Sequence, residues 1–238
     1  MSPSLIRLIL AWLVHLYTAL GAVIGFFTIL AIEQADFRAG FFLMAIAVVI
    51  DASDGTFARY ARVKEIIPWF DGTLLDEIVD YFNYVIVPSL FLARSNLLPP
   101  QDALWLAALP LLASAYGFCQ RDAKTADNFF LGFPSYWNIV VFYLYMLQTP
   151  PWVNAFLVIA LAIMVFVPIR YIYPSRSPRF RRQINAFGAL WGALVLYSIY
   201  RLPDPPRALM IASLAFPAYY IALSLWLEVQ RALRAESD

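Results

Sequence analysis

Charge is scarce in this chain, and so are the side chains that usually hold zinc. Of 238 residues, 14% are charged and 62% are hydrophobic, whereas an ordinary soluble domain carries about 25% charged residues. A water-soluble fold cannot hide that much apolar surface. One cysteine, Cys119, excludes an intrachain disulfide and leaves the redox compartment open. One histidine, His15, beside that lone cysteine excludes a Cys/His metal cluster. A formal net charge of +1 removes the bulk attraction on which nucleic-acid binding depends. Internal repeats and low-complexity tracts are also lacking.

What the chain has instead is long apolar runs. Leu8 to Ile32, Phe37 to Ile50 and Ile211 to Leu227 reach or approach the ~20 residues that cross a hydrocarbon core ~30 Å thick. Arg7 ahead of the first run resembles the start of a signal peptide, but the run is too long for an h-region and reads as a retained span. Breaks rich in proline or charge leave about eight apolar segments, near 5–32, 37–60, 72–94, 102–118, 135–148, 152–169, 185–200 and 206–230. The fifth is short. The expected fold is an all-α integral membrane protein of about eight transmembrane helices, forming a single catalytic domain over 1–238. With the amino terminus in the cytosol, every lysine and arginine except Arg38, Arg94, Arg201 and Arg207 falls on the cytosolic side. That asymmetry follows the positive-inside rule and predicts that both termini are cytosolic.

Four acids adjoin or interrupt these apolar segments. An ionised group within a span costs at least ~2.5 kcal/mol on insertion scales, so Asp51, Asp54, Asp76 and Asp80 require partners, water or metal. At 3.6 residues per turn, Asp51, Asp54, Gly55 and Ala58 share one face of the second segment, and Gly72, Asp76 and Asp80 share one face of the third. An antiparallel pairing of those faces gathers up to four carboxylates around one cavity. Divalent cations relieve the repulsion, and oxygen-only ligands favour hard ions such as Mg²⁺ or Mn²⁺. Gly55, Ala58 and Gly72 allow close approach. Arg59 offers a fixed charge for phosphate oxygens. By chemistry alone these residues point to metal-dependent phosphoryl chemistry and little beyond it.

The pattern Asp51-x2-Asp54-Gly55-x2-Ala58-Arg59, a spacer, and Gly72-x3-Asp76-x3-Asp80 resembles the signature of the CDP-alcohol phosphatidyltransferases at all eight positions. The spacer, residues 60–71, is longer than is usual in that family and is similar to that of the bacterial phosphatidylcholine synthases. The stretch Asp127-Asn128-Phe129-Phe130-Leu131-Gly132-Phe133-Pro134-Ser135-Tyr136-Trp137-Asn138 resembles the same subgroup. The resemblance implies a two-ion site of Mn²⁺ or Mg²⁺ in which Asp51, Asp54 and Asp76 bind metal and Asp80 is the general base, also touching the second ion. It further implies that Gly55, Ala58 and Gly72 contact the CDP portion and Arg59 its phosphates. The substrates implied are CDP-diacylglycerol and choline, with phosphatidylcholine and CMP as products, in a bacterial inner membrane with the site facing the cytosol. Choline lacks N–H donors and is held by aromatic faces and nearby negative charge. Tyr81, Tyr84, Tyr136 and Trp137 are the candidates for that role.

Other readings stay open at this point. Serine, glycerol phosphate or inositol are alternative acceptors, and an ion-coupled transporter is an alternative of another class, since intramembrane acids also mark ion paths. A homodimer is compatible with the sequence. His15 reads as a neutral, hydrogen-bonded interior residue, with proton transfer as the alternative. Arg176, Arg179, Arg181 and Arg182 read as an anchor for anionic lipid, and Arg121 and Lys124, in a loop with Asp122 and Asp127, as solvated. Glu77 lies off the Asp76 and Asp80 stripe.

Overall fold

Leu5–Glu33 forms one helix, α1, of 29 residues, about 43 Å long at 1.5 Å per residue. Its buried residues, Ala11, His15, Thr18, Gly21, Gly25, Thr28 and the adjacent pair Ala31 and Ile32, recur at three- and four-residue intervals, the spacing of one helical face. Leu5, Ile9, Leu13, Leu16, Leu20 and Phe27 point the other way and are exposed. The inward face is thus small and partly polar while the outward face is large and apolar. This inverts the pattern of a water-soluble helix and suits a bilayer as solvent.

The computed structural model describes residues 4–120, 129–172 and 181–235. Arg121, Asp122, Lys124, Asp127, Asn128, Arg176 and Arg179 lie outside the described residues, as does the side chain of Arg181. After α1 the chain reverses, with Asp36 accepting a hydrogen bond from the Ala39 amide to cap α2, Phe37–Tyr60. A short α3, Val63–Ile66, follows Arg62, whose φ is 49°. Asp71 then caps α4, Gly72–Tyr81, by accepting from the amides of Thr73 and Leu74, both at 3.0 Å.

From α4 the helix continues through a π-helical turn, Phe82–Ile86, into α5, Val87–Arg94. The turn has a local cause. Pro88 brings no N–H for the carbonyl of Tyr84, and the Val87 amide donates five residues back to Phe82. The rod 72–94 runs parallel to α1. Their near ends meet at His15 and Gly72, their middles at Gly21 and Val79, and their far ends where Arg94 Nε donates to Glu33 Oε1 at 2.9 Å. α2 packs antiparallel along α1.

The remaining helices are α6, Ala103–Cys119; α7, Trp137–Leu147; α8, Pro151–Met164; α9, Arg181–Tyr200; α10, Arg207–Ser213; and α11, Ala215–Ala235. α10 and α11 are separated at Leu214, where Pro217 supplies no donor for the Ser213 carbonyl. Each apolar segment read from the sequence contains a helix, although the one read as 152–169 is helical only to Met164 and the last is broken at Leu214. Among the described residues, three stretches are long and apolar enough to cross a membrane, Leu5–Glu33, Phe37–Tyr60 and Arg207–Arg231. α6, α7 and α8 are shorter apolar helices; the 11 residues of α7 rise about 16 Å, half of a ~30 Å core.

The expectation of an all-α chain needs one correction. Phe129–Leu131, β1, pairs antiparallel with Arg170–Ile172, β2. Gly132 closes this ribbon with φ 81°, and a Cβ there would lie 2.2 Å from the Val165 carbonyl oxygen. Glycine is required on both counts. The main apolar core joins α2, α5, α7 and α8 around Phe41, Phe91, Leu92, Val141, Phe142 and Val158.

Candidate active site

The half of the α1, α2 and α4 unit that ends at Arg7 and Arg59 carries all the signature acids. One carboxylate oxygen from each of Asp51, Asp76 and Asp80 lies within 4.8 Å of the other two. With Thr18, Asp54, Asn83 and Tyr84 among the other lining residues, they line a small cavity of about 10 Å³, large enough to admit water. Helical spacing accounts for Asp76 and Asp80 sharing a face. The antiparallel crossing of α2 brings Asp51 to them.

Neighbouring side chains hold the acids in place. The Tyr84 hydroxyl donates to Asp51 Oδ2 at 2.7 Å. Thr18 Oγ1 donates to Asp54 Oδ2 at 2.8 Å, and Asp54 is buried. Asn83 Nδ2 donates to the carbonyls of Gly21 and Val79, each at 3.0 Å, fastening the rod to α1. That fastening needs glycine on α1. A Cβ on Gly21 would lie 2.6 Å from Val79, and one on Gly25 2.6 Å from the Phe82 ring.

The four aspartates do not form one equivalent set. Asp54 lines the cavity but lies outside the cluster of three, turned toward Thr18 on α1. The small signature residues also differ. A Cβ on Gly55 would meet only the Arg59 guanidinium, at 3.4 Å. Ala58 packs beside Ala11, Val63 and Ile67. Over Gly72 the space is filled by His15, whose Cε1 would lie 2.4 Å from a Cβ. Arg59 is exposed and donates to Thr56 Oγ1 at 3.0 Å.

The four aromatic candidates separate clearly. Tyr84 lines the carboxylate cavity. The Tyr81 hydroxyl donates to the Leu111 carbonyl at 2.8 Å, tying the rod to α6. Trp137 is fully buried, its indole N–H donating to Ser114 Oγ at 2.8 Å beside a second donor, Ser135. Tyr136 stands edge-on to Tyr220, ring centres 6.4 Å apart. Thr18 and Asn83 were missed by sequence reasoning. A hydroxyl or amide in an apolar run is ordinary, and no spacing rule links residue 18 to residue 54.

Three carboxylates so close in a low-dielectric wall repel strongly. The donor set is all oxygen, and opposed ligands of an ion with bonds of ~2.0 to 2.6 Å stand about 4 to 5 Å apart, which the 4.8 Å cluster matches. The residues could therefore hold a divalent cation, and an all-oxygen set favours a hard ion over zinc.

No family model matches the chain. It is 41% identical to a phosphatidylcholine synthase of Legionella pneumophila, over 91% of this chain and 88% of that protein. A phosphatidylcholine synthase of Pseudomonas aeruginosa is 34% identical over 91% of each chain. One of Borreliella burgdorferi is 41% identical over 74% of this chain and 76% of its own. Identity of this extent, running far beyond the aspartate motif into the helices that pack around it, shows that the chain belongs to the phosphatidylcholine synthase family.

Proposed function

We propose that this protein makes phosphatidylcholine by transferring the phosphatidyl group of CDP-diacylglycerol to choline, with release of CMP. The observation that carries the reading is the convergence of Asp51, Asp76 and Asp80 on one small cavity, in a chain whose relatives bear the name phosphatidylcholine synthase. Asp51 and Asp76, with Asp54 from the cavity wall, would hold the cations, and Asp80, which shares the cluster with Asp51 and Asp76, would both touch the second ion and face the acceptor. The choline oxygen attacks the phosphorus that bears diacylglycerol, Asp80 takes the hydroxyl proton, and the bond from phosphorus to the CMP oxygen breaks. Mg²⁺ or Mn²⁺ held there, two ions in this reading, would supply charge neutralisation for the pyrophosphate and the leaving group.

The chain's own residues supply the rest. Arg59 pairs with phosphate oxygens at the open end of α2. Gly55 leaves the nucleotide side of the site open, while Ala58 and Gly72, the other two small positions assigned to the CDP contact, are packed against the Ala11, Val63 and Ile67 cluster and the His15 ring respectively. Tyr84, and Tyr136 from the start of α7, offer aromatic faces to the choline cation beside the carboxylates. The site end of the α1, α2 and α4 unit also bears Arg7, Arg59, Arg62 and Lys64, while the far end bears Glu33 and Asp36 with Arg38 and Arg94. That distribution supports a site that faces the cytosol; cytosolic termini and eight spans in the bacterial inner membrane complete the proposed topology.

Purified protein in detergent, given CDP-diacylglycerol and choline, serine, glycerol phosphate or inositol in parallel, tests the assignment by CMP release. Release with choline well above the other alcohols is expected. Preference for another alcohol overturns the acceptor, and no release with any of them restores the transporter alternative.

A further inference from the structure

His15 is 7% exposed, yet its Nε2 has no hydrogen-bond partner among the described residues. Buried polar side-chain atoms are nearly always paired, so such an atom points to a partner that arrives from outside the fold. The ring is held firmly. Phe70 lies 4.5 Å and Trp12 5.9 Å away, centre to centre, and the imidazole rests on Gly72. These apolar neighbours fix the ring and offer its nitrogen nothing.

The register of α1 against α2 locates the ring more closely. One turn later on α1, Thr18 bonds to Asp54. One turn earlier, Ala11 belongs to the apolar cluster against which Ala58 packs. His15 therefore stands level with the stretch of α2 between Asp54 and Ala58, while its ring covers Gly72 on α4. It sits among the three small positions of the motif. Gly55 faces open space up to the Arg59 guanidinium, whereas the space over Gly72 is already occupied by the imidazole.

We propose that His15 is a donor-binding residue whose Nε2 hydrogen-bonds the nucleotide half of the CDP-activated lipid, and that Gly72 lacks a side chain in order to seat this imidazole. The inference rests on the donor reading above. The nucleotide is the part of the substrates that suits the contact: cytosine and ribose present N–H, O–H and acceptor atoms, acyl chains present none, and choline presents one hydroxyl that the reaction itself consumes.

The test compares His15→Leu, which fills the space without a polar atom, with His15→Asn, which keeps a donor and an acceptor. CMP affinity is measured by equilibrium binding with Mn²⁺ present, alongside KM values for CDP-diacylglycerol and choline. His15→Leu is expected to weaken CMP binding about tenfold, the worth of one hydrogen bond, and to raise KM for the lipid with KM for choline unchanged. His15→Asn should recover most of the loss. Wild-type CMP affinity in His15→Leu, equal losses in both variants, or parallel rises in both KM values would overturn the assignment. If His15→Leu does not yield folded protein, His15→Ala with added imidazole decides: restored CMP affinity supports the contact and unrestored affinity overturns it. A wild-type protein that neither binds CMP nor consumes CDP-diacylglycerol would instead overturn the donor reading itself, and this contact with it.

Discussion

Thr18→Val removes one hydroxyl from the wall of the carboxylate cavity while leaving the β-branched shape of the side chain in place. The hydroxyl donates to Asp54 Oδ2 at 2.8 Å, and Asp54 is only 6% exposed, so bulk water is poorly placed to replace the lost donor. A hydrogen bond to a charged group is worth about 1.5 to 3 kcal/mol. At 1.4 kcal/mol per decade this is roughly a 10- to 150-fold effect. If Asp54 serves the bound cation, the loss falls on its orientation, and the metal concentration for half-maximal CMP release should rise within that range. Thr18→Ser keeps the donor and should stay close to wild type. The assay is CMP release from CDP-diacylglycerol and choline across a Mn²⁺ titration, with thermal unfolding in detergent run in parallel to separate misfolding from misplacement. A valine variant within twofold of wild type in both rate and metal requirement would refute the view that α1 aligns Asp54 for function.

Asp80→Asn should lower turnover by about 10² to 10⁴-fold with the fold retained, because an amide cannot take the acceptor proton; near wild-type CMP release at every pH tested would remove Asp80 from that role. Excess chelator should abolish turnover, Mg²⁺ or Mn²⁺ should restore it and Zn²⁺ should do so poorly, given three clustered carboxylates and no sulfur or imidazole among them; full turnover in chelator would end the metal mechanism. Gly25→Ala should lower the unfolding temperature in detergent, since its Cβ would sit 2.6 Å from Phe82 and 2.7 Å from Asn83 Oδ1 and overpacking costs about 1 to 3 kcal/mol. Gly192→Ala, with nothing within 4 Å, should be neutral or gain up to about 1 kcal/mol from helix propensity; equal losses in the two variants would refute the close-packing argument.

The sequence by itself determined which stretches are helical, and which acids share a face within each helix. Both follow from local periodicity: runs such as Leu5–Glu33 have no other way to satisfy their backbone in lipid, and residues four apart, like Asp76 and Asp80, must align. The motif spacing was legible for the same reason. Relations between segments that are distant in the chain belong to the tertiary structure. Helix-to-helix register set Thr18 against Asp54, drew His15 over Gly72, and left Asp54 outside the cluster formed by Asp51, Asp76 and Asp80. Burial made Trp137 a core residue bonded to Ser114, although its sequence position beside Tyr136 looked equally suited to a ligand. The ribbon joining Phe129–Leu131 to Arg170–Ile172 was hidden because its strands are three residues long and some forty apart, too short for a periodic signal and paired only once α7 and α8 bring them together. Periodicity is a property of a single helix, but contact between helices depends on crossing geometry and side-chain bulk, which only the folded chain brings together.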